Sequence, residues 1–219
     1  VKTSLTEVFD SSKIDAIELG LSSDTMMADE IGELHQFTYI TNSDAHSLAK
    51  IAREYQVMEM VEPTFLELKK ALQETEGRRV MANYGLDPLL GKYHQTVCAS
   101  CSHAVGVNEE KCPSCGEVKI IKGVADRIKE LQSFPEIKRS RPPYIHQVPL
   151  EFIPGLGPKM LDKLLNHFGT EMAILHEVPF EALKEVVPPS IAELIWKARN
   201  GEINLHAGGG GKYGKIADQ

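Results

Sequence analysis

Phe37-Thr38-Tyr39-Ile40-Thr41-Asn42-Ser43-Asp44-Ala45-His46-Ser47 begins as a strand and ends as a polar loop. Its first five residues are β-branched or aromatic, which suits a pleated strand. Upstream, Ile14-Asp15-Ala16-Ile17-Glu18-Leu19 alternates like a second strand, and Asp29 to Gln36 reads as a short helix between the two. Strand, helix, strand predicts a parallel sheet whose working residues stand at the carboxyl ends of the strands. Asp44 and His46 occupy that position, so both are expected to project into whatever site the sheet carries.

Asp-x-His is a metal-binding combination. A hard carboxylate beside an imidazole suits Zn²⁺, Mn²⁺ or iron, and such ions activate water for attack on a phosphate ester. A helix-capping aspartate next to a surface histidine gives the same pattern with no metal at all. After this loop a helix is expected near Leu48. Pro63 and the capping box Thr64-Phe65-Leu66-Glu67 announce another, running to about Thr75. Gly77 to Thr96 is rich in Gly, Pro, Tyr and Arg without a period and reads as a connector.

All four cysteines fall in the stretch Cys98-x2-Cys101-x10-Cys112-x2-Cys115. Each CxxC pair aims two thiolates at one point, and two pairs complete a tetrahedron, so the spacing predicts a ribbon around structural Zn²⁺. Two disulfides are the alternative. Ala99-Ser100 and Pro113-Ser114 inside the pairs look like turn chemistry for ligation. A closed four-thiolate site does no chemistry of its own, so function is expected on either side of it. Gly123 to Phe134 reads as a helix, and Pro135 to Pro149, with Lys138, Arg139, Arg141, Pro142 and Pro143, as a second connector.

Ile153-Pro154-Gly155-Leu156-Gly157-Pro158-Lys159 precedes an apolar stripe of Met160, Leu161, Leu164, Leu165 and Phe168 that stops at Gly169. Two glycines permit a tight turn and close approach to a phosphate, and Pro158 suits the first helical position. The free N–H groups at such a helix start form an anion site that reads phosphate and not sequence. This pattern resembles the helix-hairpin-helix family, which implies DNA contact through Gly155, Leu156, Gly157, Lys159 and Lys163. A turn between two core helices is the plainer explanation. A degenerate copy follows: Glu181 to Val187, a hairpin Val187-Pro188-Pro189-Ser190, and Ile191 to Asn200 with a Ser190/Glu193 capping box. Prolines donate no hydrogen bond, so this copy is expected to be a structural partner.

The 219 residues carry a net charge of -7 and are 42% hydrophobic, enough for packed cores. Residues 1 to 76 hold 6 Lys and Arg against 15 Asp and Glu, the remainder 18 against 16. An acidic module is thus joined to a mildly basic one able to meet phosphate. No apolar run reaches membrane-span length and no signal-peptide layout opens the chain. Thiols reserved for metal point to a reducing, cytoplasmic setting. Because the sequence starts at Val1 and enters almost directly into a strand, a preceding portion is expected.

Ser43-Asp44-Ala45-His46 at a strand end resembles the last metal-ligand motif of the polymerase and histidinol phosphatase superfamily. Its order with Asn83-Tyr84-Gly85-Leu86-Asp87-Pro88, Gly91-Lys92-Tyr93-His94, the four cysteines, Gly123-Val124-Ala125-Asp126-Arg127-Ile128, Arg141-Pro142-Pro143-Tyr144 and the hairpin is similar to the endonuclease Q family. The resemblance implies an α/β fold with small modules. Residues 1–76 would be the C-terminal part of a distorted β/α barrel, 77–134 linker, zinc ribbon and helix, 135–206 an all-α helix-hairpin-helix domain, and 207–219 a Gly-rich tail. It implies a DNA repair endonuclease nicking 5′ to deaminated bases (uracil, hypoxanthine, xanthine) and abasic sites. Asp44 and His46 would be catalytic ligands to a divalent metal, Zn²⁺, Mn²⁺ or Mg²⁺, and Leu21-Ser22-Ser23 a wall of the pocket for the flipped base. Glu18 is a further candidate ligand, or else a plain barrel residue. The family's opening His-x-His motif is missing, so this chain alone is expected to be inactive and to need the N-terminal part of the barrel. A non-catalytic DNA-binding adaptor is the competing reading. A small-molecule phosphatase is disfavoured because it would leave ribbon and hairpin without work.

Overall fold

Strands β1 (Ala16–Leu19) and β2 (Thr38–Thr41) pair in parallel with Leu19 opposite Thr41, as the alternation predicts, in a computed structural model that describes residues 4–133 and 139–217. Phe134, Pro135 and Lys138, placed above in a helix end and a connector, lie outside the described residues. Between the strands the expected single helix over 29–36 is replaced by α1 (Thr25–Ala28) and a 3₁₀ turn, Gly32–Gln36. Asp24 is the reason for the early start. Its side chain accepts from the Met27 N–H at 2.9 Å and caps the helix before the predicted position. The helix expected near Leu48 is one 3₁₀ turn, Leu48–Lys50.

Strand β3 (Tyr55–Glu59) leads to α2 (Phe65–Gln73), capped by Thr64 as predicted. The capping box is only half made. Thr64 Oγ1 accepts from the Glu67 N–H, but the Glu67 carboxylate accepts instead from the Val61 N–H at 3.0 Å and from Arg78 Nε at 2.7 Å.

The connector expected over 77–96 is not one: it contains β4 (Arg79–Leu86), the middle strand of a three-stranded sheet between β3 and a later strand, β7 (Tyr144–Gln147). β3 joins it antiparallel with a bulge at Val57/Met58, while the parallel neighbour β7 lies in the second expected connector. Gly85 must be glycine, since a Cβ there would sit 2.0 Å from the Tyr144 hydroxyl. Asn83 is fully buried and its Nδ2 donates to the Tyr39 carbonyl at 3.1 Å, tying this sheet to β2. Small and polar side chains inside β4 hide it from a periodicity reading.

Short strands β5 (Val97–Cys98) and β6 (Ile120–Ile121) pair antiparallel around the cysteine segment, and α3 (Val124–Leu131) follows Gly123. Beyond a 3₁₀ turn at Leu150–Phe152 come α4 (Pro158–Phe168), α5 (Glu171–His176), α6 (Phe180–Val186) and α7 (Pro189–Arg199). Pro158 and Gly169 bound α4 as expected. The Ser190/Glu193 capping box is not formed: α7 begins at Pro189, whose fixed φ and missing N–H suit that position, so Ser190 lies inside the first turn and Glu193 pairs with Lys197 at 2.9 Å.

Leu150, Leu164, Ile174, Leu183 and Ile195 are fully buried in one core with Leu86 and Leu90 from the sheet side and Ile216 from the C-terminal segment. Burying each such side chain contributes about 1.5–3 kcal/mol. The Gly-rich segment forms a hairpin, β8 (Leu205–His206) with β9 (Lys215–Ile216), laid along residues 89–97. Gly208 N–H donates to Leu89 O at 2.8 Å, Gly214 N–H to Leu90 O at 3.0 Å, and Gln95 N–H to Gly208 O at 2.9 Å. A Cβ on Gly214 would meet Leu89 O at 2.4 Å, so the backbones touch where side chains would not fit. Among the described residues no helix is long and apolar enough to cross a membrane.

Candidate functional site

A cleft of about 770 Å³ opens where the loops after β1 and β2 meet the C-terminal hairpin. The two loops singled out in the sequence share it: Leu21, Ser22 and Ser23 line one side, Asp44 and His46 another. Ser22 is buried; its Oγ accepts from the Tyr93 N–H at 3.2 Å, and Gly91 leaves it room, because a Cβ there would lie 2.3 Å from that oxygen. Leu21 packs on the main core. This loop is thus seated firmly, with Ser23 closing it through a bond to Gly20 O.

The Asp44 backbone is left-handed, φ 44°, a conformation Asp tolerates better than most residues. Its Oδ1 lies 3.6 Å from His46 Nε2, and the two side chains are 79% and 89% exposed. Both side chains therefore line the cleft open to solvent. Two donors make only part of a coordination shell. Glu18 sits on β1 opposite Ile40 and is not among the cleft-lining residues.

Sequence reasoning missed the basic side chains of this cleft, Lys50, Arg53 and Lys92, and the aromatic Tyr213. Lys50 and Arg53 follow His46 in a segment otherwise dominated by acids, a signal that could have been used. Lys50 Nζ hydrogen-bonds Glu151, and Arg53 Nη2 lies 3.7 Å from the same oxygen. Lys92 Nζ stands 4.5 Å above the Tyr213 ring, whose hydroxyl is 3.5 Å from Arg53 Nη1. Next to Arg53 in sequence, Glu54 is buried, which raises its carboxyl to about 7 against the help of its bond from the Leu86 N–H at 2.6 Å, and its other oxygen has no hydrogen-bond partner. At the far side of the loop after β1, His146 Nε2 approaches Asp24 at 2.9 Å, and that bond raises the histidine.

Cys98, Cys101, Cys112 and Cys115 bring their sulfurs within 4.8 Å of one another. The Cys98–Cys115 and Cys101–Cys112 separations of 3.5 Å are far too long for disulfide bonds and close to the roughly 3.8 Å between thiolates that share a tetrahedral zinc. Backbone N–H groups of Cys101 and Ser100 directed at Cys98 pull its thiol down to about 7. The cysteines fit a structural metal such as zinc. Among the described residues they are the one group of three or more His, Cys, Asp or Glu side chains that converges in this way.

In the turn before α4, Gly155 has φ +80°, which requires glycine, and Leu156 is buried in the core. Gly157 caps α4 through its backbone, and its own N–H bonds back to Gly155 O at 3.1 Å. A Cβ added to Gly157 would meet nothing within 4 Å. Lys159 is exposed on a shallow groove with Asp162, Lys163, Asn166 and His167. Lys163 reaches sideways as well, its Nζ donating to Val186 O at 2.6 Å, which ties α4 to the end of α6.

No family model matches the chain. The "Uncharacterized protein YqxK" of Bacillus subtilis is 55% identical over 216 residues, 99% of this chain and 56% of that protein. The "Uncharacterized protein MJ0043" of Methanocaldococcus jannaschii is 38% identical over 98% of this chain and 30% of its own length. The chain thus spans about half or less of the curated relatives it matches. The crystal structure of the lesion-specific endonuclease PfuEndoQ from Pyrococcus furiosus superposes with a TM-score of 0.85 at 40% identity, covering 98% of this chain and 57% of that one. Endonuclease Q in complex with a 27-mer duplex bearing an abasic lesion at the active site gives 0.86 at 38%, covering 99% and 58%. By sequence and by structure, over 98–99% of its length, the chain is similar to endonuclease Q.

Proposed function

We propose that this chain supplies the DNA-holding modules and one wall of the active site of a metal-dependent DNA repair endonuclease that nicks 5′ to deaminated bases (uracil, hypoxanthine, xanthine) and abasic sites. The observation that carries the reading is the convergence of Leu21, Ser22 and Ser23 with Asp44 and His46 on one cleft, in a chain similar along its length to endonuclease Q. Residues 1–76 act as the C-terminal part of a polymerase and histidinol phosphatase barrel, 77–134 carry the zinc ribbon, 135–206 the helix-hairpin-helix, and 207–219 the tail that closes the cleft. The four thiolates suit a reducing compartment such as the cytoplasm.

Asp44 and His46 would hold a divalent metal, which supplies an activated water and charge neutralisation at a phosphodiester. Two ligands do not hold such an ion alone, so nicking belongs to a protein in which this chain is joined to further ligands. The loop of Leu21, Ser22 and Ser23 would receive the extruded base, and a mispaired or missing base costs least to extrude. Hairpin amides at the start of α4, with Lys159 and Lys163 nearby, would grip the backbone without reading sequence. The exposure and small number of the metal donors also favour a second reading, a DNA-binding adaptor without catalysis.

Gly157 offers a clean test, because its added side chain meets nothing in the free protein. Gly157→Val is expected to keep the fold and weaken binding of the 219-residue chain to a duplex by about tenfold, the loss of roughly one backbone contact. Unchanged affinity in fluorescence anisotropy would make the hairpin a core turn only.

A further inference from the structure

We propose that Lys50, Arg53, Lys92 and Tyr213 form a phosphodiester clamp on the cleft wall, and that Glu151 is its internal counter-ion, released when nucleic acid enters. This rests on the functional reading above and assigns its cleft a charge switch.

The chain brings these groups from distant parts of the sequence. Lys50 and Arg53 follow the loop of Asp44 and His46, Lys92 precedes the cysteine segment, and Tyr213 arrives on the C-terminal hairpin. Tyr213 is the keystone. Its hydroxyl is 3.5 Å from Arg53, its face carries Lys92 at 4.5 Å, and Phe152 meets its edge with ring centroids 5.5 Å apart. Glycine-only contacts of Gly208 and Gly214 with the backbone of residues 89–91 fix the segment that delivers it. Cations flanking an aromatic face suit a polyanion with stacked rings better than a simple anion.

Glu151 sits 44% exposed on the 3₁₀ turn just before the hairpin, and its carboxylate contacts Lys50 and Arg53 alone among the described residues. Neighbouring Glu171 is different, since it is held by the Leu150 N–H at 2.7 Å. Lys50 and Glu151 are 32% and 44% exposed, so their pair is weak and easily exchanged; Arg53, 12% exposed, holds the same carboxylate only at 3.7 Å, whereas a phosphate accepts charge-assisted hydrogen bonds from an arginine through two oxygens. Lys92 has no carboxylate partner among the described residues and is already free to meet phosphate. Because Glu151 lies on the element leading into the hairpin, occupation of the cleft and of the hairpin by one duplex would be linked.

The test uses the 219-residue chain and a short fluorescent duplex carrying an abasic site, with anisotropy read across a salt series and thermal unfolding as a control of fold. Glu151→Gln is expected to tighten binding about threefold or more at low salt, the reward for removing a competing carboxylate. Lys92→Ala, which breaks no ion pair, is expected to weaken binding and lower the log affinity against log salt slope by about one. Tyr213→Ala should weaken binding and Tyr213→Phe much less. A folded Glu151→Gln that binds no tighter, or a Lys92→Ala variant with an unchanged salt slope, overturns the clamp. Should Gly157→Val weaken binding while the cleft variants do nothing, the clamp fails and the functional reading stands; no DNA binding by the unsubstituted chain overturns both.

Discussion

Glu54 is a carboxyl that the fold buries with only half of its hydrogen-bonding capacity met. It is 3% exposed, one carboxylate oxygen takes the Leu86 N–H, and the other has nothing. Burial, with a smaller push from Glu18, raises its folded value to about 7 from an ordinary 4.5. Between those values the folded state keeps a proton that the unfolded state releases, so stability falls as pH climbs from about 4.5 to about 7 and stays low above. Glu54→Gln keeps an oxygen for Leu86 and carries no charge. It is therefore expected to be more stable than the unsubstituted chain above that window, by on the order of 2 kcal/mol, and similar below it. Denaturant unfolding at both ends of the window measures this; the same pH dependence in both proteins would mean Glu54 is ionised in the folded state. Nothing in the sequence marks Glu54, because its burial depends on strands paired far along the chain. The position of Asp44 and His46 after β2, on the cleft, was legible for the opposite reason: it follows from a strand signal local to the sequence.

Among the elements, the cysteine segment depends most on something other than packing. Its strands β5 and β6 are two residues each, and its small core consists of Cys98, Cys112 and Val105 with Ile120 against it. Such a sheet is not stable by itself, so metal binding there becomes folding energy, on the order of 10 kcal/mol for a structural zinc. One zinc per chain is the expected result of metal analysis. Cys112→Ser should release it and speed hydrogen exchange across residues 92–122, leaving α4 to α7 protected. Absence of zinc from protein purified without chelator, or slow exchange in the metal-free variant, would disprove the assignment. This element was read from spacing alone. Strands β4 and β7 were not, since Ala82, Asn83 and Gly85 break the alternation of β4, and β7 is four residues held by pairing with it. The hairpin of residues 205–216 was equally hidden, its glycines chosen for backbone contact with 89–97, a partner no local window contains.

At the scale of the whole molecule, the proposed function assigns different work to the acidic and basic parts read from the sequence. The acidic N-terminal part presents Asp44 and His46 at the cleft, and the more basic remainder supplies Lys92, Lys159 and the turn before α4. One core runs from the sheet through the helices to Ile216, so the turn before α4 and the segments lining the cleft belong to one packed body. Binding and cleavage should nonetheless separate on mutation, because they use different side chains. In a protein that joins this chain to the remaining length of its relatives, Asp44→Ala removes one of the two proposed metal donors at little cost to the fold: its side chain is 79% exposed, and its ion-pair partner among the described residues is the still more exposed His46. Metal-dependent nicking of a uracil- or hypoxanthine-containing duplex is expected to fall at least 100-fold, on the order of losing a ligand and its activated water, while DNA affinity changes less than about threefold. The 219-residue chain by itself should bind the duplex and not nick it. Nicking by this chain alone would show that Asp44 and His46 find their remaining ligands within it, and full activity of the longer Asp44→Ala protein would move the metal away from β2 altogether.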